Sequence, residues 1–311
     1  MLVSKTVWTE GKLRRSGALV LIATLGFGCS EKVAASGAGD FPEEIDILRL
    51  VEPGQGEDEV EGQGERLETP ILSYADGRGR RVDLIAVVHI GERAYYEELN
   101  RRFESYDAVL YELVAERGTR PRLGGEAGGG GSVLSFFQNK LKDLLALEFQ
   151  LDLIDYSADN MVHADVSPSE LDALFEGRDD SLLASLFRAA LKASQPENAS
   201  PMSTFALLQA LFAKDRATEF KRLLARMFED IDKLVAGFED ESGSSVLVTE
   251  RNARAMEVLA EELEAGRKRL AIFYGAAHMD DFHERLLDLG FVGQSEEWLV
   301  AWAITPVASG R

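Results

Sequence analysis

The sequence predicts an α/β domain in which a central mixed, mostly parallel sheet is flanked by helices and carries a largely helical insertion. Three observations lead there. Two short apolar runs, over 82–88 and 270–274, end near a histidine (His89 and His278), and each is followed at once by an amphipathic helical pattern. Around the first, the order strand, helix, strand (81–88, 92–104, 108–113) is a βαβ unit and implies parallel pairing. From 132 to about 240 the period changes and helical spacing dominates, as in Val133, Phe137, Leu141, Leu144 and Leu145. Ligands of open α/β sheets bind beyond the carboxyl ends of the strands. Two strand-end imidazoles, in a chain with only 4 histidines, are therefore candidates for one shared site.

The elements follow in order. Lys5, Lys12, Arg14 and Arg15 precede an apolar run from Gly17 to Gly28, and Cys29 comes next. A basic segment, a short apolar segment and small residues before a cleavage point describe a signal peptide over 1–28. The run is too short to span a bilayer comfortably. Cys29 is the chain's 1 cysteine, and Leu25-Gly26-Phe27-Gly28-Cys29 resembles a lipobox with its leucine set one place further back. The expected product is a lipoprotein of the bacterial cell envelope, on the periplasmic side or the cell surface, held to the membrane through the lipid on Cys29 alone. With no second cysteine an intramolecular disulfide is impossible.

Residues 29–66 are rich in Gly, Glu, Ser and Ala and predict a flexible tether, although Ile45–Leu50 alternates well enough for one short strand. The folded domain is expected over 67–305. Asp76-Gly77-Arg78-Gly79 is a hairpin turn signal between strands at 69–74 and 81–88. Tyr95, Tyr96, Leu99 and Phe103 recur at helical spacing, and Ala108–Leu113 is a buried-strand pattern. Gly124–Gly131 reads as a mobile loop rather than a phosphate loop, because no Lys-Ser/Thr follows at the required place. The insertion over about 132–240, a candidate lid, is broken by an expected strand at Leu151–Tyr156. After Ser242–Ser245 come a helix with Ala255, Met256, Leu259 and Leu263 on one face, a strand at 270–274, a helix ending at Gly290, and a strand at 297–303.

A formal charge of -20 repels nucleic acid, so no nucleic-acid partner is expected; the excess serves solubility or a cationic substrate. Imidazole and carboxylate are the usual suppliers of a metal or general-base site. Glu112 ends the strand after His89, where parallel pairing would set it beside that histidine. A glutamate in the run Ala-Val-Leu-Tyr-Glu-Leu is either paired, metal-bound, or leaving the sheet for solvent. Arg251 and Asn252 open a helix, and Arg251 could hold Glu112 or stabilise an oxyanion. His163 and Asp165, two apart, would point the same way on an extended segment; they join the site or hydrogen-bond a loop. His283 lies about 140° around the helix from His278 and shares no face with it. There is no His-Glu-x-x-His, no Gly-x-Ser-x-Gly, no dinucleotide glycine fingerprint and no cysteine nucleophile in the folded part, so water activation is favoured over covalent catalysis.

Ala86-Val-Val-His89, Tyr111-Glu112, Glu250-Arg251-Asn252 and Gly275-Ala-Ala-His278, in this order, resemble the TraB/PrgY/GumN group, which includes the TIKI proteases. That group has two Gly-x-x-His motifs, a glutamate after the first and an arginine before the second. The first motif departs from it, with Ala86 in place of glycine. The resemblance implies a fold similar to erythromycin-esterase-like and haem-binding ChaN-like proteins, and a metal-dependent hydrolase of peptide bonds acting on a peptide or secreted protein. It implies His89, Glu112 and His278 as ligands of a divalent ion (Mn, Co or Zn). Glu112 or His89 would activate the water, Arg251 would assist, and His163, Asp165 and Asn252 would stand behind them. Two other readings fit the same residues. One is a non-catalytic protein sequestering a peptide or haem-like ligand; the other is metal-free hydrolysis with His89 as general base.

Overall fold

The computed structural model describes residues 45–52, 64–123, 147–176, 209–210, 212–229 and 246–305. The apolar segment before Cys29, Cys29 itself, Gly124–Gly131, the Val133–Leu145 pattern and Ser242–Ser245 lie outside the described residues. Within them, a 7-stranded mixed sheet carries helices on both faces.

The sheet has an antiparallel and a parallel half. Strands β1 (Arg49–Val51), β2 (Arg66–Ala75) and β3 (Arg81–Val87) are successive antiparallel neighbours. A long strand, β9 (Val292–Ala303), runs antiparallel along the whole of β2. Because β1 and β3 occupy one edge of β2, β9 takes the other. From β3 onward the sheet is parallel. Its neighbours are β8 (Arg269–Gly275), then β5 (Ala108–Tyr111), then β7 (Met161–His163). A separate 2-stranded ladder joins β4 (Ile90–Gly91) to β6 (Glu148–Phe149).

The parallel strands read as nearly continuous apolar runs because both of their faces are covered. Ile85, Val87, Val109, Tyr111, Ala271 and Phe273 face helix α1 (Arg93–Phe103), which contributes Tyr95, Tyr96, Leu99 and Phe103. Leu84, Ala86, Leu110, Ile272 and Tyr274 face the other way. There they meet Ala255, Val258 and Leu259 of α5 (Arg251–Glu264) and Met279, Phe282 and Leu286 of α6 (Met279–Asp288). Gly79 (φ +75) turns the β2–β3 hairpin, and Gly290 (φ +81) closes α6 with the Phe291 N–H reaching back to the Leu286 carbonyl.

Several sequence expectations are changed. The sheet starts earlier than 67: β1 overlaps the end of the short strand expected at Ile45–Leu50, inside the segment otherwise read as tether, and Ile47 and Val51 are buried. The expected strand at Leu151–Tyr156 is absent. Gln150–Leu153 forms a single helical turn, α2, closed by the Ile154 N–H on the Gln150 carbonyl (3.0 Å). Gln150 and Ile154, four apart, are its buried pair, a helical spacing that a short apolar run conceals. The strand of this region is β7 instead. Of the insertion, the described parts include α3 (Pro168–Glu176) and α4 (Arg216–Glu229). Helix α3 begins with a capping box. The Ser167 hydroxyl accepts from the Glu170 N–H, and the Glu170 carboxylate accepts from the Ser167 N–H. Such a cap is worth about 1 kcal/mol. Finally, β3 and β5 are not neighbours, because β8 lies between them. The βαβ unit is real, but a strand from the far end of the chain fills its gap.

Candidate active site

That insertion of β8 builds the site. Three parallel strands end side by side, with Val87 of β3 in register with Gly275 of β8, and Tyr111 of β5 in register with Phe273. His89 follows β3, Glu112 follows β5, and His278 ends a 3-10 turn (Ala276–His278) that leads β8 into α6. Glu112 and His89 therefore flank Gly275 from opposite sides rather than touching as strand neighbours. A Cβ placed on Gly275 would lie 3.2 Å from Glu112 Oε2 and 3.4 Å from His89 Nε2. The point over Gly275 is where the two side chains meet.

Glu112 is tightly held. Its Oε2 accepts from the Gly275 N–H (2.7 Å), and its Oε1 accepts from Arg251 Nη2 (2.7 Å) and lies 3.6 Å from His278 Nε2. Burial works against its charge, yet His278, Arg251, His89 and the Gly275 N–H together bring its pKa down to about 2. Imidazoles help only when protonated, so at neutral pH the guanidinium and the backbone N–H keep the carboxylate ionised.

Arg251 is the hub behind it. Its Nε and Nη2 grip Asp165 in a bidentate pair (3.0 and 2.6 Å) while Nη2 also serves Glu112. Asp165 is 1% exposed, and its Oδ1 also accepts from the Val166 N–H. Of the two roles open to Arg251 in the sequence, the geometry places it in the first, holding Glu112. Its own pKa is raised: burial lowers it, but Asp165 and Glu112 outweigh that. Asp165 and His163 separate. Asp165 turns into the site, whereas His163 Nε2 donates to the Leu113 carbonyl (2.6 Å) and its ring packs on Tyr111. His163 thus braces the loop after Glu112 and stays out of the crevice.

Asn252 fixes His278. Its Nδ2 donates to two acceptors, the His278 carbonyl (2.9 Å) and Asp281 Oδ2 (2.8 Å), so its Oδ1 must be the atom facing His278 Nδ1 at 2.6 Å. The Nδ1 then carries the proton and the Nε2 lone pair faces Glu112. Asp281 is in turn held by Arg285. Burial pushes His278 down to about 4 against the pull of Glu112, so this imidazole is neutral at pH 7. His89 is exposed and its Nδ1 lies 2.8 Å from Gln150 Oε1. His283 packs under β2 with its Nδ1 on the Tyr74 hydroxyl (2.7 Å), away from the crevice as helix geometry predicts.

The site includes residues the sequence did not single out. Asp281, in the first turn of α6, enters through Asn252 rather than through His278 itself, a link the sequence does not show. Gln150 carries no signal either, because its turn reads as a strand. Two of the expected donors have a spacing that a divalent ion would accept. A separation of 3.6 Å between His278 Nε2 and Glu112 Oε1 is that of two ligands each about 2.1 Å from one centre. Among the described residues, however, no group of three or more His, Cys, Asp or Glu side chains is gathered as a metal-holding cluster, so His89 does not close the set with the other two. No family model, no curated protein and no solved structure matches the chain.

Proposed function

We propose that the chain is an envelope-anchored hydrolase of peptide bonds. The observation that carries the reading is the meeting of His89 and Glu112 over Gly275, with His278 Nε2 3.6 Å from the other oxygen of Glu112. The peptide-bond substrate, in a peptide or secreted protein, comes from the resemblance to the TraB/PrgY/GumN group. By the same resemblance, Glu112, His278 and His89 would hold a divalent ion (Mn, Co or Zn), although among the described residues His89 is not gathered with the other two as a ligand set. Such an ion supplies Lewis-acid polarisation and an acidified water.

The residues divide the remaining work. Glu112, with both oxygens occupied and its pKa near 2, is a poor proton acceptor and acts as an anchoring anion. His89 is exposed to incoming substrate, and its Nε2 faces the crevice; that one free lone pair serves the ion when a metal is held, and without a metal it takes the proton from water and returns it to the leaving amine. Arg251 keeps Glu112 charged and placed. A metal-free reaction with His89 as base is the second reading, favoured by the lack of a closed metal cluster among the described residues.

The test is metal content and cleavage of a peptide library by the purified mature chain with Mn, Co or Zn supplied. Bound metal is expected to fall in both His89→Ala and His278→Ala, and cleavage to fall by about 100-fold or more in His89→Ala. Unchanged metal in both variants removes the metal and leaves the second reading. No cleavage with any of the three ions removes the hydrolase in favour of a sequestering protein. For the anchor, Cys29→Ser is expected to move the protein from the membrane to the soluble fraction; a variant that stays on the membrane counts against the lipid. Among the described residues no helix is long and apolar enough to cross a membrane.

A further inference from the structure

His89 and His278 lie on either side of the Glu112 carboxylate but are held differently, and the holder of His89 is a residue from the segment just after β6. Gln150 clasps His89 twice. Its backbone N–H donates to the His89 carbonyl (3.0 Å), and its Oε1 lies 2.8 Å from His89 Nδ1. The other end of the same amide, Nε2, donates to the Tyr156 hydroxyl at 2.8 Å. Gln150 is 4% exposed and Tyr156 is fully buried, its ring edge-on to Tyr111. The β4–β6 ladder fixes the two backbones beside this clasp, with Ile90 opposite Phe149. An exposed imidazole would otherwise turn freely about its side-chain bonds, and among the described residues Gln150 is the side chain that hydrogen-bonds its ring.

We propose that Gln150 is the positioning residue of His89, locking it as the Nδ1–H tautomer so that the Nε2 lone pair faces the point over Gly275. The amide does for His89 what Asn252 does for His278. Both rings then offer an acceptor nitrogen toward Glu112, as a ligand or a base requires. Gln150 touches neither the reacting point nor Glu112 and works only through the imidazole. A neutral amide has a consequence a carboxylate would not: it fixes the tautomer without adding charge to a crevice that already holds Glu112 and Asp165. The catalytic weight of this role rests on the hydrolase reading; the tautomer itself does not.

The experiment measures both. Nitrogen-15 NMR of the full chain with labelled histidine, in mildly alkaline buffer, reads which ring nitrogen carries the proton. In the wild type both His89 and His278 are expected as Nδ1–H. Gln150→Leu is expected to turn His89 mainly to Nε2–H while His278 is unchanged, and Gln150→Glu to keep Nδ1–H through its carboxylate. Peptide cleavage by Gln150→Leu is expected to drop about 10–100-fold, mostly in kcat, with partial rescue in Gln150→Glu. A wild-type His89 protonated on Nε2, or a His89 unmoved in Gln150→Leu, overturns the proposal whatever the activity. If the leucine variant does not fold, the wild-type tautomer and Gln150→Glu still decide. The tautomer result without any cleavage sinks the hydrolase and leaves Gln150 in place; cleavage without the tautomer result does the reverse.

Discussion

Replacing Arg251 by methionine is expected to destabilise the domain by about 3–5 kcal/mol, the cost of breaking a buried ion pair from one side. Arg251 is 9% exposed and its guanidinium serves two carboxylates at once, Asp165 at 1% exposure and Glu112. Methionine matches much of its volume but leaves both anions without their cation. The double-mutant cycle sharpens this: adding Asp165→Asn to Arg251→Met is expected to recover a large part of the loss, because the most buried charge is then gone. Urea denaturation with an unchanged slope is the measurement. A loss under about 1 kcal/mol would show the pair behaving like a surface salt bridge and would undo the account of Arg251 as the hub. Acid adds a second reading. Glu112 is held below its ordinary 4.5, near 2. Its contribution is therefore present above pH 4.5 and lost as pH falls toward 2, a window the variant should narrow, since protonated His278 and the Gly275 N–H still favour the carboxylate there.

What the sequence makes legible here is local. The runs before His89 and His278 announce strands through composition and length, and the helices after them through spacing; both histidines stand where those patterns put them. Glu112 is found the same way. The order of strands is not local, so nothing in 81–113 reveals that β8 enters between β3 and β5. The same gap explains how Glu112 reaches the site by an unexpected route, across Gly275 rather than beside His89. Asp165 and His163 look equivalent at a spacing of two. They diverge because β7 ends at His163, so the alternation that would have kept them on one side stops between them. Gln150 is hidden for a further reason. A glutamine beside leucines reads as the polar side of a surface element, and only its contact with a histidine 61 positions away gives it a role.

Gly275→Ala is expected to abolish hydrolysis while sparing the fold. Gly275 has φ -52° and ψ 143°, a conformation that alanine adopts without strain, so backbone freedom is not why glycine stands there. Space is. The added methyl would sit 3.2 Å from Glu112 Oε2 and 3.4 Å from His89 Nε2, on the point the two side chains share. Glycine in a strand often marks such a close approach. Displacing reacting groups by about 1 Å costs about 100-fold, so cleavage should fall by at least that, with stability lowered by about 1–3 kcal/mol as for a methyl added to a packed site and the fold kept. The first motif supplies the internal control. Ala86 holds the place in Ala86-Val-Val-His89 that Gly275 holds before His278, yet it pairs with Tyr274 and is buried in the core with Leu84 and Ile272. Its methyl is core packing and fills no crevice. The partner of Gly275 across the ladder is Val87, one residue on. The two motifs are thus alike in sequence but offset by one in the sheet, and only the second brings its glycine under the reacting point. Thermal unfolding and peptide cleavage of Gly275→Ala, with Ala86→Gly beside it, decide the matter. Ala86→Gly should lose stability and keep activity. A Gly275→Ala protein that cleaves within a few-fold of wild type would place the chemistry somewhere other than over Gly275.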